Sequence, residues 1–221
     1  MQLDNHIITN WFKIKGWSYY KHQLQTLDKI KNDKDVLLIS PTGSGKTIAG
    51  FLPSLCDLIS NKKKNYLHTL YISPLKSLTY DIERNLLDPI KELKLNISVE
   101  SRTGDTNFYK KKNQLVVPPQ ILATTIESFV LLMSHSNYKE FFKNLKFLII
   151  DEVHTVTNTK RGELLTLNLS RLSDFNKIFK KILLSATAPN TQDIINYFSP
   201  KNGQIIYSKI KKEKEILIVE P

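Results

Sequence analysis

The run Pro41-Thr42-Gly43-Ser44-Gly45-Lys46-Thr47 leaves a short apolar segment, Asp35–Ser40 (DVLLIS), and enters a stretch with helical spacing. A chain that passes from strand to glycine turn to Lys-Thr to helix can hold phosphate. Gly43 and Gly45 let the backbone curl so that the N–H groups from Thr42 through Ser44 to Thr47 point inward at phosphate oxygens. The helix N-terminus adds partial positive charge. Lys46 can reach the β- and γ-phosphates of a nucleotide, and the Thr47 hydroxyl can ligate Mg²⁺. The strict pattern, G-x-x-x-x-G-K-[ST], has Gly where this chain has Ser40. The plainer reading is a glycine turn that merely starts a helix, but it leaves Lys-Thr at the turn's exit without a packing role.

A phosphate loop needs an acidic residue at the end of a neighbouring strand. The apolar run Phe147-Leu148-Ile149-Ile150 delivers Asp151-Glu152-Val153-His154. Ligands in parallel sheets bind at the C-terminal ends of strands, where these carboxylates fall. Asp151 is expected to bind Mg²⁺ through water, and Glu152 to orient and deprotonate an attacking water, with Lys46 as its catalytic companion. His154 is placed to sense the nucleotide state.

Elements of a particular kind must position these groups. Short β-branched runs recur at Asp35–Ser40, His68–Ser73, Ile97–Ser101, Gln120–Thr124, Lys146–Asp151, Lys180–Ser185 and Gln204–Ser208. Segments with helical spacing lie between them at Lys46–Ser60, Leu75–Lys91, Ile126–His135 and Gly162–Leu172. Alternation of this kind predicts an α/β fold: a mostly parallel sheet with helices on both faces.

Composition narrows the partners. Lys and Arg total 32 against 21 Asp and Glu, a formal charge of +11, which favours polyanions. The lysine runs at 62–64, 110–112 and 211–212 also read as solvated loop faces. The single cysteine, Cys56, excludes an internal disulfide and reads as core packing. No apolar run approaches the ~20 residues that span a bilayer, so no membrane partner is expected and a cytoplasmic setting is the default.

Further motifs carry a family resemblance. Ser40-Pro-Thr-Gly-Ser-Gly-Lys-Thr47 resembles motif I of superfamily 2 helicases of the DEAD/DEAH type, and Asp-Glu-Val-His resembles motif II. Ser185-Ala186-Thr187 is similar to motif III, and Ser73-Pro74-Leu75-Lys76-Ser77-Leu78 to motif Ia. Thr103-Gly104-Asp105-Thr106 and Thr124-Thr125-Ile126-Glu127-Ser128 look like the Ib region, with Ile126 where the family pattern has Pro. Gln23 in Tyr20-Lys21-His22-Gln23 resembles the glutamine that reads adenine, or is an ordinary helix-surface residue. Trp11-Phe12 with Gly16-Trp17, the phrase SPLKSL, and Thr159-Lys160-Arg161-Gly162 together resemble the Lhr (large helicase-related) group.

The resemblance implies a RecA-like P-loop domain over residues 1–210 that binds ATP and Mg²⁺. Residues 211–221 would begin a linker to a second RecA-like domain, supplied in cis or in trans. Single-stranded nucleic acid, DNA ahead of RNA, would meet Ser73, Lys76, Thr103 and Thr124, with 3′-to-5′ translocation in the full family. Ser185 and Thr187 would couple the acidic loop to that strand, or simply cap the next helix. An aromatic among Trp17, Tyr19 and Tyr20 would stack on adenine or belong to the core. Two other readings stand beside the motor domain: a truncated remnant that binds nucleotide or nucleic acid without work, and a different P-loop class such as a small-molecule kinase. Motifs Ia and III speak against the last.

Overall fold

A computed structural model of the chain describes residues 5–61, 65–187 and 190–208. The expected linker at 211–221 lies outside them. Seven strands form one sheet: β1 (Asp35–Ile39), β2 (Thr69–Ser73), β3 (Val99–Arg102), β4 (Ile121–Thr125), β5 (Phe147–Ile150), β6 (Lys180–Ser185) and β7 (Gly203–Tyr207). Their spatial order is β3-β4-β2-β5-β6-β1-β7, and every neighbouring pair is parallel.

Nine α-helices are described: α1 (His6–Ile14), α2 (Lys21–Lys31), α3 (Lys46–Ser60), α4 (Lys76–Glu92), α5 (Phe108–Val116), α6 (Ile126–Met133), α7 (Tyr138–Phe142), α8 (Lys160–Phe175) and α9 (Thr191–Phe198). The pleat decides which helix covers which face, because successive strand residues point to opposite sides. Leu37, Leu70, Ile72, Leu148, Ile150 and Leu183 pack with α6, α7, α8 and α9. Their neighbours Val36, Leu38, Tyr71, Ile149, Ile182 and Leu184 pack with α2, α3 and α4. Both faces are therefore apolar, as an all-parallel sheet requires.

A third, smaller cluster fixes the N-terminal helices. Ile8, Trp11 and Phe12 of α1 pack with Leu27 and Leu52. The Trp11 indole N–H donates to Glu92 at 2.8 Å, which ties α1 to the end of α4. Trp17 stands edge-on to Trp11 and Phe12, and Tyr19 stacks on Phe12 with centroids 4.1 Å apart. These aromatics seat α1 in place.

The segment after β5 returns through a 3-10 turn, Val153–Thr155, into α8. Thr159 caps α8 by accepting from the Gly162 N–H at 3.1 Å. A Cβ on Gly162 would lie 2.0 Å from the Val156 carbonyl oxygen, so only glycine permits this approach. Gly162→Ala should destabilise the fold by about 1–3 kcal/mol through forced backbone displacement. Urea melts of the two chains check this, and equal midpoints would refute it.

Candidate functional site

Three adjacent strands, β1, β6 and β5, bring their C-terminal ends together. Ser40 N donates to Ser185 O at 3.0 Å, directly continuing the β1–β6 ladder. The loop beyond β1 curls through two left-handed glycines, Gly43 (φ 68°) and Gly45 (φ 75°). Ser40 stands where the strict pattern has Gly, and it has a visible job. Its buried hydroxyl lies 2.5 Å from Ser44 Oγ. Ser44 donates its single hydroxyl proton to Pro41 O at 2.6 Å, so Ser40 is the donor to Ser44.

Helix α2 grips the same loop from outside. Gln23, only 2% exposed, is not a helix-surface residue. Its Oε1 accepts from Tyr20 N at 3.0 Å, and its Nε2 donates to Gly45 O at 3.3 Å. The next-door His22 ring is buried and donates to the Ser44 carbonyl, while its Nε2 has no partner. A Cβ on Gly45 would meet Gln23 Nε2 at 2.6 Å and the Tyr20 ring at 3.4 Å. Of the three candidate aromatics, Tyr20 is the one that lies over the phosphate loop, and it is 44% exposed.

The acidic pair faces this loop. Lys46 Nζ donates to Glu152 Oε1 at 2.7 Å and lies 3.7 Å from Asp151 Oδ1. Asp151 Oδ1 also accepts from Glu152 N at 2.9 Å. Asp151 Oδ2 accepts from the Tyr71 hydroxyl at 2.7 Å. Tyr71 is fully buried in β2, and burial together with the Asp151 charge drives its pKa far above the ordinary tyrosine value. It therefore remains a hydrogen-bond donor throughout the working pH range. Glu152 sits in the left-handed region (φ 47°, ψ 42°), a strained backbone for a residue with a Cβ. Its Oε2 is buried and without a hydrogen-bond partner.

His154 and Ser185 join the second strand end to the third. Ser185 Oγ donates to Thr187 O, so the His154 Nδ1–H must donate to Ser185 Oγ at 2.7 Å. His154 Nδ1 is also 3.4 Å from the orphaned Glu152 Oε2. The Thr187 side chain is exposed. Thr47, at the first turn of α3, is half-buried, whereas Thr42 and Gly43 are open to solvent.

The ends of β2, β4 and β3 form the other half of the edge. Here the structure redirects several expectations. Ser73, Thr103 and Thr124 are fully buried, with their hydroxyls engaged inside the fold. Ser73 Oγ accepts from Leu75 N, Thr124 Oγ1 donates to Arg102 O, and Thr103 Oγ1 accepts from Asp105 N and meets the Tyr80 hydroxyl. Hydroxyls at strand ends bond their own loops first, so these three shape the surface and do not present their side chains on it. Lys76 is exposed but bridges both Asp105 oxygens at 2.8 and 2.9 Å, which raises its pKa. Arg161 was not anticipated in this role: from the start of α8 it donates to Glu127 at 2.8 Å and to Pro74 O at 2.9 Å, linking the segment after β2 to the first turn of α6. Tyr71, His22 and Arg161 were all missed as site residues. The hints were a tyrosine at the middle of β2 and the places of His22 and Arg161 inside quoted motifs.

A cavity of about 480 Å³ at the opposite end of the strands is lined by Asp57, Lys146, Asp33 and Lys180. Those charges pair with one another, and the cavity is remote from the phosphate loop.

A parallel α/β sheet with a phosphate loop ending one strand and paired carboxylates ending another defines the class: a RecA-like P-loop domain. Comparison with known proteins narrows it. The DEAD/DEAH box helicase profile matches residues 20–194. The ATP-dependent helicase Lhr-Core of Sulfolobus acidocaldarius is 37% identical over 228 residues, covering 97% of this chain and 26% of that protein. Lhr-Core of Methanocaldococcus jannaschii is 35% identical, covering 97% and 27%. The solved Mycobacterium smegmatis helicase Lhr, bound to ssDNA and AMP-PNP, superposes with a TM-score of 0.85 at 32% identity, over 92% of this chain and 27% of that one. The chain belongs to the DEAD/DEAH box helicase family. It spans about a quarter of the length of these relatives. No helix among the described residues is long and apolar enough to cross a membrane.

Two predictions follow from the geometry. Tyr71→Phe keeps the packing but leaves Asp151 Oδ2 without its donor, which should cost about 1–3 kcal/mol of stability in a denaturant melt; an unchanged midpoint would show the bond to be dispensable. His22 has its pKa lowered from the ordinary 6.5, chiefly by desolvation. Above 6.5 the ring is neutral folded or unfolded and contributes no pH dependence. Below 6.5 the unfolded chain binds the proton first, so stability falls until the folded pKa is reached. Thermal midpoints from pH 7.5 down to 5.5 should decline less steeply in His22→Gln, and parallel curves would refute the assignment.

Proposed function

We propose that this chain is the first RecA-like, ATP-binding domain of an Lhr-like ATP-dependent helicase that moves 3′-to-5′ on single-stranded DNA. The observation that carries this reading is the meeting of Lys46, Asp151 and Glu152 at the ends of β1 and β5, across the end of the intervening β6, with His154 and Ser185 bonded beside them. The backbone from Thr42 to Thr47 would cradle the triphosphate, and Lys46 would exchange Glu152 for phosphate oxygen. Tyr20 and Gln23 border the loop where adenine would lie.

The donor set fits a hard divalent cation: Asp151 places anionic oxygen 3.7 Å from the Lys46 ammonium, and Thr47 adds a half-buried hydroxyl at the first turn of α3. Thr47 and Asp151 would hold Mg²⁺, which when bound neutralises charge on the phosphate oxygens. Among the described residues no group of three His, Cys, Asp or Glu side chains is placed to hold a metal ion, so the remaining ligands would be phosphate and water. Glu152 would take a proton from the attacking water through its unpartnered oxygen. The strand would cross the loops after β2, β4 and β3 through backbone amides and Lys76. DNA is favoured because the solved Lhr relative is described with ssDNA.

An opposing arginine contributes ~10³–10⁵ in rate to P-loop enzymes, and in this family it comes from a second RecA-like domain, in cis or in trans. The 221-residue polypeptide should therefore bind MgATP but hydrolyse it slowly. Isothermal titration should show MgATP binding lost in Lys46→Ala and retained in Glu152→Gln, with residual turnover lost in both. A turnover by the isolated chain equal to that of complete helicases would contradict the dependence on an opposing domain. Absence of MgATP binding by the parent would sink the reading itself.

A further inference from the structure

Two aromatic side chains stand in water without a packing reason. Phe108 is 73% exposed and Tyr109 is 80% exposed, and their rings meet edge-on with centroids 6.1 Å apart. They open α5, immediately after the Thr103–Thr106 loop at the C-terminal end of β3. β3 is the last strand of the sheet on that side. Any strand crossing the ends of β2, β4 and β3 leaves the domain at this place.

The base beneath the two rings is firmly held. Asn107 Oδ1 caps the helix by accepting from Tyr109 N at 2.7 Å and Lys110 N at 3.3 Å. Lys111 Nζ donates to Gly104 O, and Arg102 Nη1 donates to Lys111 O, both at 2.8 Å. Thr103 N donates to Thr106 Oγ1 at 2.9 Å. Thus α5 is attached by polar bonds to the same loop that Lys76 reaches through Asp105. Lys110 and Lys112 follow the aromatic pair and are exposed, and Lys110 Nζ lies 3.8 Å from Glu83 Oε1.

Exposed rings beside ammonium groups form the surface that bases and phosphates share: the rings offer π faces, and the lysines neutralise the backbone. An apolar protein partner would be poorly served by the exposed Lys110 and Lys112 beside the rings. We infer that Phe108 and Tyr109 are a stacking platform for bases of single-stranded DNA at the edge of the sheet. This rests on the strand path proposed above.

The probe is fluorescein-labelled dT15, followed by anisotropy on the 221-residue chain, beside an oligonucleotide of equal length and charge whose sugars lack bases. Phe108→Ala/Tyr109→Ala should weaken dT15 binding by about tenfold to a hundredfold, the range for loss of one stacked base. The same variant should bind the abasic strand as the parent does, with an unchanged salt slope. Phe108→Leu/Tyr109→Leu, which keeps apolar surface but not the rings, should show the same loss. Equal affinity of parent and variants for dT15, or equal losses on both strands, would overturn the platform while salt-dependent binding by the parent left the strand path standing. No binding by the parent would remove both. Sedimentation that shows the pair driving self-association, with dT15 affinity unchanged in the variants, would also overturn it.

Discussion

A buried ammonium group cannot stand without a counter-charge, and Lys46 is buried. Removing one member of such a pair strands the other in a low-dielectric site. Much of the sheet edge can be understood from that requirement. Lys46 begins a helix after β1, whereas Glu152 follows β5, and β6 runs between them. Only a parallel arrangement puts all three strand ends on one side. Even then, Glu152 must adopt a left-handed backbone to turn its carboxylate toward the lysine. The strain sits where charge and geometry compel it.

The order of the strands divides that edge by task. β1, β6 and β5 carry the phosphate loop, the Ser185–Thr187 segment and the carboxylates. β2, β4 and β3 carry the loops proposed for the strand. Their boundary lies between β5 and β2, and bonds cross it. Tyr71 reaches from β2 to Asp151, and Arg161 reaches from the segment after the acidic turn to Pro74 and Glu127. These contacts tie the acidic segment directly to the ends of β2 and β4.

The seven strands were legible because β-branched runs of four to six residues between polar breaks leave little alternative. α3 was legible for a similar reason: six apolar residues fall mostly on one face. α5 was not, since Gln114 is its one buried residue and polar bonds hold it in place. A helix anchored by hydrogen bonds leaves no hydrophobic period to read. Strand order was also hidden, because parallel connections of similar length can reach several positions. The phosphate loop and the Asp-Glu pair were visible because their chemistry restricts residue type along a short stretch. Tyr71 and Arg161 were not, since their partners lie 80 residues away for Tyr71, and 34 and 87 for Arg161. Ser73, Thr103 and Thr124 show the opposite error, because residue type alone does not say whether a hydroxyl faces solvent or its own loop.

The clamp that His22 and Gln23 place on the Ser44 and Gly45 carbonyls has a thermodynamic meaning. A loop with two glycines would, left alone, sample many conformations, and closing it around an anion would sacrifice that freedom. Anchored to α2 from outside and by Ser40 from within, it is already in the shape it needs. The conformational entropy is lost during folding, where the sheet's cooperative packing absorbs it, and an arriving phosphate meets a preorganised ring of dipoles. Weakening the clamp should therefore appear first as a less favourable entropy of association, with the contacts to phosphate left intact.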